Sequence, residues 1–84
     1  MKKRILHLTL YRKYFDLIAS GEKTEEYRDA TPYWNKRLDG KYFHEVHFHN
    51  GYRKDAPFMR VDWLGHWRSV RHIIQLGKIL EVRL

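Results

Sequence analysis

Eight consecutive residues, Gly21-Glu22-Lys23-Thr24-Glu25-Glu26-Tyr27-Arg28, crowd a lysine, three carboxylates, a threonine, a tyrosine and an arginine together. A lysine and a carboxylate brought into one cleft support three kinds of chemistry. They can simply pair, which at a surface contributes about 0–1 kcal/mol. They can bind a ligand, with Lys23 meeting a phosphate and Glu26 accepting from a base amine or a ribose hydroxyl. They can also move protons, where burial brings their pKa values toward neutrality. Arg28, with its planar fork, suits either a carboxylate or a phosphate partner.

The flanking elements decide whether these side chains meet. Residues 4–10 read as a strand, because Leu6, Leu8 and Leu10 alternate with His7 and Thr9. His7 is expected on the strand surface. Residues 11–20 switch to helical spacing, with Tyr11, Tyr14, Phe15 and Ile18 on one face and Arg12, Lys13 and Asp16 turned away. Gly21 is placed to end that helix in the left-handed conformation. Residues 23–29 then form a polar strand in which Glu26 and Arg28 share a face. Lys23 has the opposite parity. It reaches Glu26 only from the turn before the strand, or across a bulge.

Further along, Thr31-Pro32 carries the signature of a helix start, with Thr31 as N-cap and Pro32 in the first turn. A short helix over 33–38 ends at Asp39-Gly40, with Trp34 and Leu38 facing inward. Residues 41–49 read as a second strand, Tyr42, His44, Val46 and Phe48 on one face and Phe43, Glu45, His47 and His49 on the other. His47 and His49 have a spacing that allows metal ligation, but no neighbouring pattern supplies further ligands, so no metal site and no cofactor are expected. Asn50-Gly51 opens a loop in which Tyr52, Arg53 and Lys54 interleave base-stacking and phosphate-binding groups; an ordinary hairpin loop explains them equally well. Residues 58–64 form a strand that Gly65 breaks or bulges. Residues 70–84 close the chain as one bent strand or two short ones around Gly77, with Leu80, Val82 and Leu84 on a half-buried face.

At 84 residues the chain makes one small domain spanning residues 1–84, and its three Trp, six Tyr and four Phe must carry much of the core. The absence of cysteine excludes disulfides and thiolate metal sites. No apolar run approaches a membrane span, and the basic N-terminus precedes too short an apolar stretch for a signal peptide, so a cytoplasmic location is expected. With 17 Lys and Arg against 10 Asp and Glu, the net charge of +7 favours an anionic partner, nucleic acid first. About five strands and two short helices in so short a chain point to an α+β fold, an open or pseudo-closed β-barrel with helices at its ends. A ferredoxin-like sandwich is the alternative, but it requires a longer second helix.

On these residues the chain resembles the ASCH domain, a branch of the PUA-like superfamily, in its small bacterial or phage form. The family motif G-x-K-x-x-E-x-R is met by Gly21, Lys23, Glu26 and Arg28. The resemblance extends over the preceding strand and helix, Tyr33-Trp34, and His47-Phe48-His49-Asn50-Gly51-Tyr52. It covers residues 4 to about 65. It implies a PUA-like barrel whose cleft is lined by the motif, and a link to RNA or modified nucleosides. Some members look like RNA- or nucleotide-binding modules, some cleave RNA, and one branch hydrolyses the acetyl amide of acetylcytidine. That hydrolase branch places a threonine where this chain has Glu26, and Thr24 is only a weak substitute.

The leading expectation is therefore an RNA- or nucleotide-binding module, with Lys23, Glu26 and Arg28 lining the cleft and Tyr52, Arg53 and Lys54 at its rim. The competing class is a hydrolase, either a ribonuclease or a nucleoside amidohydrolase using Lys23 and Glu26. A third view keeps the motif as a buried ion-pair brace of the barrel.

Overall fold

Strand β1 (Ile5–Thr9) buries Leu6 and Leu8 in the core while His7 and Thr9 face outward. The computed structural model describes residues 2–84. Helix α1 (Arg12–Ala19) follows after two residues and buries Phe15 and Ile18. Gly21 ends it at φ +85°, the left-handed conformation that costs a glycine nothing. Strand β2 (Glu25–Asp29) then leads to α2 (Pro32–Leu38), where the Thr31 hydroxyl caps the Trp34 amide at 3.3 Å and Leu38 is fully buried. Strands β3 (Glu45–His49), β4 (Phe58–Arg68) and β5 (Arg71–Arg83) complete the chain.

The five strands form a single sheet in the order β1-β3-β4-β5-β2. β1 pairs parallel with β3, Leu6 opposite Val46 and Leu8 opposite Phe48; the other pairings are antiparallel. The β4–β5 ladder is long and slips register between Arg60 and Val61, Val61 and Trp63, and Trp63 and Gly65. Bulges of this kind bend a strand pair and increase its twist. They curl the sheet into a half-barrel, the α+β barrel-like fold that the strand count and short helices imply. Its inner face packs Val46, Phe48, Met59, Val61, Ile74 and Leu76 against Phe15, Ile18 and Leu38 of the two helices.

Several local expectations are corrected. Tyr11 and Tyr14 are exposed, so the α1 core stripe is narrower than the i, i+3, i+4 pattern suggests. The strand expected from residue 41 begins at Glu45, and Tyr42 lies outside it, exposed. β4 runs through Gly65 to Arg68 instead of stopping at residue 64. β5 is one strand, one of the two forms expected, but Val82 and Leu84 are exposed, so the half-buried face assigned to Leu80, Val82 and Leu84 is kept only at Leu80. Val61 pairs with Ile79 immediately after Arg60 pairs with Glu81, so Leu80 falls in the bulge and Ile79 packs on the core.

Candidate functional site

β1 and β2 are the two edges of the curled sheet, and Arg28 bridges them. Its Nη2 donates to the Thr9 carbonyl at 3.1 Å and to Glu26 Oε2 at 2.7 Å, while Nε donates to the same Oε2 at 3.0 Å. Glu26 and Arg28 share the inner face of β2, as their parity requires. Glu26 is only 5% exposed. A carboxylate this deep must be paired to offset its desolvation, and Arg28 supplies the pair.

Lys23 meets the geometric condition that parity set. It lies on the turn between Gly21 and β2, outside the regular strand, and its Nζ comes to 3.6 Å from Glu26 Oε1. The ammonium is held from behind by the Glu25 carbonyl at 2.6 Å and sits over the Tyr27 ring, 4.7 Å from its centroid. The Glu26 carboxylate is thus flanked by two cations in unequal ways. Oε2 takes both Arg28 hydrogen bonds, whereas among the described residues Oε1 takes none. Oε1 is the acceptor left for a ligand.

Aromatic rings wall the space around this carboxylate. A hollow of about 310 Å³ is lined by Thr9, Tyr11, Tyr14, Glu26, Arg28 and Trp34 among others. A second, of about 270 Å³, is lined by Tyr14, Lys23, Glu26, Tyr27 and Arg71. Glu26, Tyr14 and Tyr27 belong to both, so the two are lobes of one cleft. Trp34 of α2 packs its ring 5.0 Å from the Arg28 guanidinium, and Arg71 of β5 lies 4.8 Å from the Tyr27 ring. Thr31 capping and Pro32 fix the start of α2, which sets where Trp34 stands. Trp34 and Arg71 are cleft residues that the sequence motif does not include. The helical spacing of Trp34 pointed to core packing, and Arg71 lies far along the chain in β5.

The other expected site residues are distributed unequally. Tyr52 is 93% exposed and lines a neighbouring hollow of about 530 Å³ with Thr9, Tyr11 and Arg28. Arg53 lines a hollow on the far side of Thr9, with His7 and His49, and pairs with Asp55 at 3.2 Å. Lys54 is exposed in the same loop and lines neither of these hollows. Thr24 lines an adjoining hollow with Leu17, Glu22, Lys23, Glu25 and Tyr27, one that Glu26 does not line.

A second polar cluster sits on β3. Glu45 is buried yet takes Lys3 Nζ at 2.7 Å, Arg60 Nη1 at 2.9 Å and His47 Nε2 at 2.9 Å. The Lys3 ammonium foremost, then His47 and Arg60, hold its carboxyl at about 2. Beside it, His7 Nδ1 and His49 Nε2 approach to 3.3 Å. Burial, then the neighbouring histidines, push both of these rings below the usual histidine range. His47 is engaged by Glu45, while His49 faces His7.

No family model, no curated protein and no solved structure matches the chain.

Proposed function

We propose that the protein is an RNA- or nucleotide-binding module of the ASCH type, with Lys23, Glu26 and Arg28 as its recognition centre. The observation that carries this reading is the buried Glu26 carboxylate, one oxygen committed to Arg28 and the other open beside Lys23, in a cleft walled by aromatic rings. A base has a π-face to lay on Tyr14 or Tyr27 and an amine edge to donate to Oε1. A phosphate has Lys23 and Arg71 within the same lobe. The positive balance of the chain adds the sequence-independent attraction on which nucleic-acid affinity largely rests.

The hydrolase reading has weaker support. Amide hydrolysis through Thr24 needs its hydroxyl beside the Glu26 carboxylate, and the two open into different hollows. RNA cleavage by Glu26 with a histidine needs that imidazole in the cleft. Neither lobe is lined by one, and His49 lies beyond Thr9.

The test is titration of the protein with adenosine and cytidine 5′-monophosphates and with a short single-stranded RNA at low salt, followed by amide chemical shifts. Saturable shifts at Lys23, Glu26, Arg28 and Arg71 are expected. Shifts elsewhere, or none, would remove the reading. The same samples scanned for cleaved RNA, and acetylcytidine scanned for released acetate, decide the hydrolase alternative.

A further inference from the structure

A second group of side chains on the inner face of the sheet has ligand chemistry that the cleft does not use. We propose that Asp39, His66 and His72 form a binding site for a divalent transition metal of the zinc class. The three come from the C-terminus of α2, from β4 and from β5, and one donor atom of each lies within 4.8 Å of the others. Among the described residues this is the one group of three such donors.

His66 Nε2 and His72 Nδ1 are 2.8 Å apart, and Asp39 Oδ1 is 4.0 Å from His72 Nδ1. Around a zinc ion with bonds of about 2.0–2.1 Å, tetrahedral ligand atoms stand roughly 3.3 Å apart. One edge must therefore open and the other close by a fraction of an ångström. Asp39 is the half-exposed member and the one able to move. Two imidazoles and a carboxylate with one open position match the donor set that zinc accepts.

The surroundings orient these donors as a metal would require. His72 is fully buried, and its Nε2 meets Asn35 Oδ1 at 2.8 Å. An amide oxygen there takes the ring proton on Nε2, so Nδ1 presents its lone pair to His66 and Asp39. Arg68 holds Asp39 by the other carboxylate oxygen, Oδ2, at 3.2 Å, and leaves Oδ1 toward the histidines. Without metal, one proton lies between the two imidazoles, donated by His66 Nε2 to His72 Nδ1. A bound metal takes that place, and His66 carries its proton on Nδ1 instead.

This site stands apart from the cleft but shares its scaffold. His72 is the cross-strand partner of Arg28, and the helix that sends Trp34 to Arg28 sends Asn35 to His72. Metal at Asp39 would pin the C-terminus of that helix to the sheet.

Trp63 stacks on His66, with ring centroids 6.1 Å apart, and serves as an optical reporter. Protein dialysed against chelator is titrated with Zn²⁺, reading tryptophan emission and Tm, and with Co²⁺, reading visible absorption. Binding of one equivalent is expected, with a Tm rise of roughly 10 °C at about a hundredfold excess over Kd. His66→Gln and Asp39→Asn should each weaken affinity by about tenfold or more, while His7→Gln leaves it unchanged. Asp39 is half-exposed, so its variant keeps the test decisive should the His66 variant fold poorly. No stoichiometric uptake, or uptake that survives in Asp39→Asn and falls in His7→Gln, would overturn the proposal. In those cases the cluster is a hydrogen-bonded brace.

Discussion

The Arg28 guanidinium reaches the Thr9 carbonyl at 3.1 Å from β2, with the Nη2 that also holds Glu26 at 2.7 Å. One side chain thus links the two edges of the half-barrel and neutralises its buried carboxylate. Arg28→Met removes both contacts and leaves Glu26 with Lys23 alone, 3.6 Å away. Stripping one partner from a buried pair costs about 3 kcal/mol or more. Urea unfolding should show that loss, and Arg28→Lys should recover only part of it.

Glu45 sets the acid limit of the fold. Its folded pKa of about 2 lies below the ordinary 4.5, so between these values the unfolded chain binds more protons. The Glu45 contribution to stability is therefore fully present above about pH 4.5 and lost as pH falls toward 2. Glu45→Gln should lower stability by about 3 kcal/mol at neutral pH. It should also flatten the dependence across that window, which urea unfolding at a series of pH values measures.

The His7–His49 contact acts at milder pH. Both rings titrate below their usual 6.5, through burial first and then through His47, Arg37 and Arg83 nearby. The folded protein resists protonation there, so stability falls as pH drops below about 6.5. His7→Gln should reduce the difference in Tm between about pH 7.5 and 5.5, as followed by circular dichroism.

Thr31 caps the helix that carries both Trp34 and Asn35. Thr31→Ala should cost about 1 kcal/mol. Because Trp34 walls the cleft beside Arg28, its emission should shift to the red before global unfolding. Emission and circular dichroism recorded on one thermal ramp compare the two transitions.

Much of the scaffold was legible because local chemistry decides it. Gly21 ends a helix at positive φ, Thr31-Pro32 starts another, and parity in residues 25–29 forces Glu26 and Arg28 onto one face. Contacts that depend on chain-distant pairing were not legible. The parallel β1–β3 ladder is separated by two helices and an edge strand, and it alone brings His7 beside His49. Glu45 reads as an outward residue of β3 by alternation, yet Lys3, His47 and Arg60 cover it. Asp39, His66 and His72 lie on three elements with no ligand-like spacing, and only the curl of β4 over β5 gathers them. Bulges in that ladder likewise moved Ile79, in place of Leu80, onto the core.

Lys23 offers the most direct test of the recognition centre, because Arg28 keeps Glu26 paired when Lys23, 3.6 Å away on the turn, is removed. Affinity of wild type and Lys23→Met for a short single-stranded RNA, measured across a salt series with Tm recorded alongside, separates binding from bracing. Recognition at Glu26 predicts about tenfold weaker binding and a salt slope reduced by about 1, at temperatures where the Tm shows the variant fully folded. Equal affinity and equal slope in the variant would contradict it.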